Sequence, residues 1–423
     1  MLIKYHHRLH KEIIFMIINT YIKEFEKLGF GMFVHFGPYS VFGHGEWAKS
    51  CLKISDETYE GYVSAFCPKE NWAQELAEAA ASAGCKYITL TTRHHDGFSL
   101  FDTCGLNQYD ALHICGRDLV REYVDACRQY GLIPFFYHTL LDWHEPSYKT
   151  DFKKYLVYLR ESVKLLCTNY GTIGGIWFDG MWDRPNDDWE EDALYGMIRS
   201  YQPNAMIINN TGLSAQGALG HPELDSVTFE RGKPQPMNME GAPKYIASEM
   251  CQVFNDHWGY TKEDLNYKAP ADMIRDLAIC RRYGSNLLMN VGPTEDGTIR
   301  LIDRAMLDLM GQWAKIFAEA IYEPRPSGIT VENKECDFIL QKDDVYYLFC
   351  CDLPMVADIN VALVQGADYT DVFSLDREIA EITWMDNGEP LTFEQTGNRV
   401  CVHTEPFCYG RNLVIRVAKI TTK

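Results

Sequence analysis

The chain has 423 residues, of which 46% are hydrophobic and 23% charged, and its formal net charge is −19. This length suits two domains, and the hydrophobic fraction is enough for a large buried core. A chain this acidic is repelled by phosphate backbones, which excludes nucleic acid as an expected partner. None of the 14 cysteines forms a CxxC pair, so buried free thiols in a reducing compartment are predicted rather than disulfides.

The N-terminal region resembles a signal peptide only in outline. Lys4, Arg8 and Lys11 precede a short apolar run at 13–18. This run is shorter than the about 7–15 residues of a signal sequence, no small-x-small cleavage site follows it, and it cannot span a bilayer. Met16 is an alternative start of the chain. We therefore expect a cytoplasmic protein that does not contact a membrane.

Strands and helices alternate from residue 16 to residue 319. Strands are predicted at 30–37, 86–92, 132–137, 173–179, 205–210, 226–230, 247–253 and 286–290, and helices at 16–28, 71–83, 118–130, 152–166, 188–201, 270–283 and 300–319. This alternation predicts a parallel sheet closed as a (β/α)₈-like barrel of the TIM type. An open doubly wound sheet is the alternative, but it would need a glycine-rich phosphate loop after its first strand, and residues 37–40 do not form one.

A change in composition marks the end of the barrel. The stretch 322–328 contains two prolines and a glycine and is typical of a linker. The predicted strands beyond it are short, and Asp386-Asn387-Gly388 is a hairpin turn signal. We predict a catalytic barrel over 1–322 and a small C-terminal β-sandwich over 326–423.

Polar side chains follow several of the predicted barrel strands. In chain order they are His35 with Glu46 and Trp47 in the next loop, His94-His95-Asp96, Tyr137-His138, Trp177 with Asp179, and Glu230-Arg231. A single histidine on an apolar strand is more often a satisfied core group. Repetition at the C-terminal ends of successive strands instead predicts an active site at that edge of the barrel.

Carboxylates surrounded by aromatic and neutral polar side chains suit the cleavage of glycosides. One carboxylate is ionised and faces the sugar, and the other is protonated and releases the leaving oxygen. Tryptophan rings pack on the C–H surface of a sugar, and histidines bond its hydroxyls. No cofactor is needed for this chemistry.

Two other classes of protein remain as alternatives. A metal-dependent hydrolase could use His35, His94, His95 and Asp179 as ligands. Against it, His94 and His95 would point to opposite faces of an extended strand, so we expect no metal. A non-catalytic sugar-binding protein on the same scaffold would keep the pocket and lose a carboxylate.

Several blocks of sequence resemble the glycoside hydrolase family 29 α-L-fucosidases. They include Arg93-His94-His95-Asp96-Gly97 and Trp177-Phe178-Asp179-Gly180, and in full they cover 30–41, 45–47, 87–98, 176–180, 257–260 and 286–297. They follow the family's order along nearly the whole barrel. The resemblance implies a retaining exo-α-L-fucosidase that removes terminal α-L-fucose from a fucosylated oligosaccharide or glycoconjugate through a covalent fucosyl–enzyme.

The resemblance also implies roles for individual residues. Asp179 resembles the nucleophile, and the residues that resemble the fucose pocket are His35, Glu46, Trp47, His94, His95, Tyr137 and Trp177. Glu230, in a segment that matches Asp-x-x-Thr-x-Glu, is the first choice for the acid/base, and Glu249 is the second. Thr211 and the pair His138-Thr139 depart from the family pattern. Both departures concern the leaving-group side of the expected site and not its fucose side. The oligomeric state stays open, a homo-oligomer included.

Overall fold

The computed structural model describes residues 3–4, 15–236, 242–355 and 369–423. The chain forms two compact units, Met1–Lys268 with Asn286–Asp308, and Ala269–Ser285 with Leu309–Lys423. The domains predicted at 1–322 and 326–423 stay a prediction. Much of the N-terminal stretch discussed above lies outside the described residues. Within the described part of the chain, no helix is both long enough and apolar enough to cross a membrane.

The first unit contains a closed barrel of eight parallel strands, as predicted. The strands are β1 (Phe30–Val34), β2 (Tyr87–Arg93), β3 (Ile133–Thr139), β4 (Gly175–Asp179), β5 (Met206–Asn209), β6 (Ser226–Glu230), β7 (Ala247–Val253) and β8 (Asn286–Val291). Each strand pairs with the next, and β8 closes the barrel by pairing with β1. This closure excludes the open doubly wound sheet.

The barrel strands are buried along almost their whole length, because side chains fill the inside and helices cover the outside. Phe33 from β1, Tyr137 from β3 and Trp177 from β4 meet inside the barrel, with ring centroids 5.2 to 5.9 Å apart. These large rings fill the interior just below the C-terminal edge. They therefore form the floor of any binding site at that edge.

The helices follow the predicted alternation. They are α1 (Thr20–Leu28), α2 (Tyr39–Phe42), α3 (Ala48–Cys51), α4 (Asp56–Ala65), α5 (Trp72–Ser82), α6 (Ala111–Cys115), α7 (Leu119–Gln129), α8 (Ser147–Thr150), α9 (Phe152–Asn169), α10 (Glu191–Tyr201), α11 (Pro270–Arg282), α12 (Leu301–Ile316) and α13 (Ala318–Ile321). The Asp118 side chain caps α7 by accepting a hydrogen bond from the backbone N–H of Arg121. The helix predicted from residue 16 begins only at Thr20, because Phe15–Met16 instead pairs with Ile3–Lys4 as a short strand.

The second unit contains two antiparallel sheets that form a β-sandwich. The strands are β9 (Arg325–Thr330), β10 (Phe338–Lys342), β11 (Val345–Cys350), β12 (Thr370–Ser374), β13 (Ile379–Trp384), β14 (Phe393–Thr396), β15 (Arg399–His403) and β16 (Arg416–Thr422). The five-stranded sheet has the order β9-β10-β11-β16-β13 and the three-stranded sheet the order β12-β15-β14. Leu348 from one sheet and Phe373 from the other belong to one buried core.

One part of the predicted linker is a strand. Residues 322–328 were expected to be irregular because of their prolines, yet β9 covers Arg325–Thr330. Pro326 is tolerated there because β9 is the edge strand of its sheet, where a missing backbone N–H leaves no neighbour unpaired.

Candidate active site

Two carboxylates approach each other at the C-terminal edge of the barrel. Asp179 is the last residue of β4 and Glu230 the last residue of β6. Asn210, which follows β5, donates from Nδ2 to Oδ1 of Asp179 at 3.3 Å and to Oε2 of Glu230 at 2.8 Å. Because one nitrogen touches both oxygens, they lie within about 6 Å of each other, which suits the about 5–5.5 Å of a retaining pair rather than the about 6.5–9.5 Å of an inverting pair.

Three neutral donors are directed at the Asp179 carboxylate. Besides Asn210, the Tyr137 hydroxyl donates to Oδ2 at 3.0 Å and the Trp182 indole donates from Nε1 to Oδ1 at 3.1 Å. Nε2 of His95 lies 3.6 Å from Oδ2, beyond hydrogen-bond distance. These donors complement a negative charge and fix the orientation of the carboxylate.

The turn after Asp179 depends on a glycine. Gly180 has φ +98°, and a Cβ there would lie 2.7 Å from Cβ and 2.8 Å from the backbone nitrogen of Leu141. Only a glycine fits this conformation and this close approach. The turn leads directly into the short 3₁₀ segment Met181–Asp183, which brings Trp182 back over Asp179.

Glu230 is in an environment that favours its neutral form. Burial raises the pKa of its carboxyl group, and the nearby charge of Asp179 raises it further, while the Asn210 hydrogen bond and Arg231 oppose the shift. Arg231 has φ +51°, a strained value for a residue other than glycine, and its guanidinium lies over the Trp258 ring at 5.2 Å. A pair in which donors surround one carboxylate and the pKa of the other is raised is the arrangement that glycoside cleavage needs.

Both carboxylates open into one cavity of about 460 Å³. It is lined by Phe33, His35, Trp47, His94, Tyr137, Trp177, Asp179, Trp182, Asn210, Gly212, Leu213, Ser214, Glu230, Cys251 and Trp258. Its floor is aromatic, and polar groups approach from the sides, as is typical of small-molecule sites. Seven of the residues that the sequence predicted are therefore brought together, namely His35, Trp47, His94, Tyr137, Trp177, Asp179 and Glu230.

The two cavity histidines are neutral. Burial lowers the pKa of His35 to about 3 and that of His94 well below its ordinary value. Nδ1 of His35 lies 2.7 Å from Oδ1 of Asn290, and the Asn290 amide donates to the Trp258 carbonyl. Oδ1 of Asn290 is thus the acceptor, Nδ1 of His35 carries the proton, and Nε2 is left free to accept a hydrogen bond.

Three predicted residues lie outside the cavity lining. Glu46 is buried and its Oε2 accepts a hydrogen bond of 2.7 Å from the backbone N–H of Gly259, next to Trp258. His95 does not line the cavity, and its ring packs against Trp47 and Trp182 beside Asp179. Glu249 is buried beneath the floor, where its carboxyl group accepts hydrogen bonds from the Tyr87 hydroxyl and from Trp177 Nε1 at 3.0 Å.

Burial raises the pKa of Glu249 to about 7, opposed by those two hydrogen bonds. Phe36 does not line the cavity and packs against Phe66 and Trp72, at 5.1 and 5.2 Å between ring centroids. The aromatic surface of the cavity comes instead from Phe33, Trp47, Tyr137, Trp177, Trp182 and Trp258.

His94 and His95 do not lie on an extended strand, contrary to the prediction. Both residues follow the end of β2 in a turn rather than in extended backbone, and their ring centroids are 4.3 Å apart. Among the described residues, however, the cavity groups do not supply three ligand atoms close enough to share an ion, and the set that does lies in the second unit. The metal-hydrolase alternative thus lacks a ligand cluster in the described barrel.

Several cavity residues were missed. Asn210 follows β5 just as Asp179 ends β4, so the rule that found Asp179 could also have found it. Trp182, which stacks on Trp47 with ring centroids 5.8 Å apart, comes from the 3₁₀ segment after β4, where no strand pattern marks it. Leu213 and Trp182 are 65% and 39% exposed and mark the open rim of the cavity.

A closed (β/α)₈ barrel whose aromatic cavity holds two bridged carboxylates at its C-terminal edge defines a glycoside hydrolase. The family model described as Alpha-L-fucosidase matches residues 18–319. The chain therefore belongs to the α-L-fucosidase family.

Curated relatives agree with this assignment over most of the chain. The tissue α-L-fucosidase of Rattus norvegicus is 26% identical over 391 residues, which is 85% of this chain and 82% of the rat protein. The α-L-fucosidase of Branchiostoma floridae is 26% identical over 381 residues, or 83% of each chain.

Solved structures have the same fold. α-L-Fucosidase isoenzyme 1 from Paenibacillus thiaminolyticus superposes with a TM-score of 0.77 at 30% identity, covering 95% of this chain and 99% of that one. A Bacteroides thetaiotaomicron family 29 enzyme, solved as a trapped covalent intermediate, has a TM-score of 0.80 at 23% identity and covers 96% of each chain.

Proposed function

We propose that this protein is a retaining exo-α-L-fucosidase in which Asp179 is the nucleophile and Glu230 the acid/base. The observation that carries the proposal is the Asn210 amide, which contacts both carboxyl groups inside one cavity. The short distance between the Asp179 and Glu230 oxygens supports direct attack of Asp179 on the sugar. It leaves no room for the water molecule that an inverting enzyme places between the sugar and its base.

In the first step, an oxygen of Asp179 attacks the anomeric carbon of the α-fucoside from its β face. The bond from that carbon to the leaving oxygen breaks, and the proton of Glu230 passes to that oxygen. The products are the free alcohol and a β-linked fucosyl ester of Asp179. The raised pKa of Glu230 supports this role, because a general acid must hold its proton at the working pH.

In the second step, Glu230 acts as a base. The charge on Asp179 is neutralised in the ester, so one of the influences that raise the pKa of Glu230 is removed and its carboxylate can accept a proton. It takes a proton from water, the water oxygen attacks the anomeric carbon, and the ester bond to Asp179 breaks. Two inversions return α-L-fucose.

The cavity supports recognition of one terminal sugar. Its floor of Phe33 and Trp177 is closed, so a chain can enter only by its end. The neutral His35 offers Nε2 as an acceptor to a sugar hydroxyl, and the Trp258 ring offers apolar surface to the 6-deoxy methyl group. The glycan that leaves would pass the exposed rim at Trp182 and Leu213.

The stereochemistry of the first product tests the proposal. Proton NMR of early hydrolysis of an aryl α-L-fucoside should show α-L-fucose, which mutarotates only later. First appearance of β-L-fucose would contradict the retaining mechanism. Binding of fucose without turnover would favour the sugar-binding alternative, which the presence of both carboxylates opposes.

We also propose that the protein works in a reducing compartment such as the cytoplasm. All 14 cysteines are free thiols in the structure. Secreted proteins that carry so many cysteines ordinarily pair them as disulfides, which supports the proposal.

A further inference from the structure

A buried cluster of metal-ligating side chains lies in the β-sandwich. Asp337 precedes β10, Cys350 ends β11, and Asp371 lies in β12. One carboxylate oxygen from each aspartate and the Cys350 sulfur all lie within 4.8 Å of one another. The three residues are 8%, 0% and 1% exposed, so water does not solvate their charges.

One oxygen of this cluster faces no hydrogen-bond donor among the described residues. Oδ1 of Asp371 accepts no hydrogen bond from any described residue, whereas its Oδ2 lies 3.2 Å from the Thr404 hydroxyl, which donates to it. Asp337 is held by the backbone N–H of Cys351, which donates to its Oδ1 at 2.7 Å. A buried carboxylate oxygen without a donor costs free energy, so the site is incomplete without a positive group.

Two aspartates this close need a neutralising group between them. Either a shared proton or a cation can supply the missing charge. A shared proton has no use for a third ligand, but a cation does, and the Cys350 sulfur is placed as one.

We propose that Asp337, Cys350 and Asp371 bind a structural zinc ion. Zinc accepts thiolate sulfur together with carboxylate oxygen, whereas calcium and magnesium take oxygen ligands. On binding, the Cys350 thiol proton and any proton shared by the aspartates leave to solvent as H⁺, and the ion takes their place beside the thiolate sulfur.

The position of the cluster gives the ion a function. Asp337 directly precedes β10 and Cys350 ends β11, both strands of the five-stranded sheet, whereas Asp371 lies in the three-stranded sheet, so one ion would join both sheets. A ligand that binds only the folded state stabilises it. The zinc proposal does not involve the barrel site. If the protein binds no zinc, the proposed hydrolysis of fucosides is unaffected.

The test is the zinc content of the full-length protein. Under reducing conditions, protein equilibrated with Zn²⁺ and then dialysed into metal-free buffer should retain one equivalent by plasma mass spectrometry. Asp371→Asn and Cys350→Ala should each lose it. Cys401→Ser, on β15 of the same unit, is the matched control and should keep it. Loss of zinc from the wild type, or retention by Asp371→Asn and Cys350→Ala, would overturn the proposal.

A spectroscopic measurement covers variants that do not fold. Wild-type protein loaded with Co²⁺ should show a sulfur-to-cobalt charge-transfer band in the near ultraviolet and the visible bands of a tetrahedral ion. A spectrum typical of six oxygen ligands, or no bound cobalt, would contradict the Cys350 ligand. Turnover of an aryl fucoside reports whether the barrel of each variant is folded.

Discussion

The indole nitrogen of Trp182 donates a 3.1 Å hydrogen bond to the carboxylate of Asp179, three residues earlier in the chain. The same indole ring stacks on Trp47 at the rim of the cavity. Trp182 thus joins the proposed nucleophile to the surface over which the leaving group passes.

Replacing Trp182 with phenylalanine should keep the stacking and remove the hydrogen bond. A hydrogen bond to a charged group contributes about 1.5–3 kcal/mol, so we expect kcat/KM for an aryl fucoside to fall about 10- to 100-fold. Trp189→Phe is the control, because Trp189 donates its indole proton to the Arg184 carbonyl and does not line the cavity. Equal losses in the two variants would show that the contact with Asp179 is unimportant.

Removing the Asn210 side chain should change the pH dependence of the reaction. The Asn210 hydrogen bond lowers the pKa of Glu230, so Asn210→Ala should raise it. Glu230 must be protonated to act as an acid, and activity is lost as the pH rises through its pKa. The alkaline limb of kcat/KM for phenyl α-L-fucoside should therefore move to higher pH.

The control for that profile is Asn209→Ala. Asn209 donates to the Tyr195 hydroxyl behind the barrel wall and does not line the cavity. The alkaline limb of the kcat/KM profile of Asn209→Ala should lie at the same pH as that of the wild type. A limb that stays unmoved in Asn210→Ala would mean that Glu230 is not the group that titrates.

Azide distinguishes Glu230 from Glu249 as the acid/base. In Glu230→Ala, turnover of phenyl α-L-fucoside should fall by about 10²–10⁴-fold. With an activated aryl fucoside, azide should attack the fucosyl–enzyme from the side that Glu230 vacates and give α-fucosyl azide. Product analysis by NMR checks the configuration.

Glu249→Gln should keep turnover within about tenfold of the wild type, because Glu249 lies beneath the cavity floor and not in it. Azide should not alter its products. Azide rescue of Glu249→Ala with none in Glu230→Ala would reverse the assignment of the acid/base.

Glu249 should also make the stability of the protein depend on pH. Its folded pKa of about 7 lies above the ordinary 4.5, so the stability that its protonated form contributes is lost as pH rises through 7. The Glu249→Gln variant has no titrating group at this position, so its stability does not fall with pH for this reason. Between pH 4.5 and 7, the free energy of unfolding should shift in favour of the variant by on the order of 3 kcal/mol.

Thermal unfolding midpoints of the two proteins across this pH range measure the shift. Glu161→Gln, an exposed position on α9, is the control and should run parallel to the wild type. A difference between Glu249→Gln and the wild type that does not change with pH would mean that Glu249 is not buried as a titrating group.

The barrel could be predicted from the sequence because each strand is a short buried run followed by a helix of clear period. The same regularity placed His35, Asp179 and Glu230 at one edge, since parallel strands end on the same side. The β-sandwich could be predicted from its short alternating strands. Strand β9 was not predicted because of its proline, which is tolerated only at a sheet edge, and that edge position depends on strands distant in sequence.

The remaining site residues depend on how loops turn. No feature of the neighbouring sequence distinguishes Glu46, which contacts Gly259, from Glu230, which lines the cavity. The turn after β2 directs both His94 and His95 toward the site, against the alternation expected of a strand. Trp182 reaches Asp179 only because Gly180 adopts a positive φ.

The most direct test of the account is the identity of the residue that becomes fucosylated. Wild-type enzyme treated with 2-deoxy-2-fluoro-fucosyl fluoride should accumulate the ester, and peptide mass spectrometry should find the added sugar on Asp179. A label on any other residue, or full turnover by Asp179→Ala, would contradict the proposed mechanism.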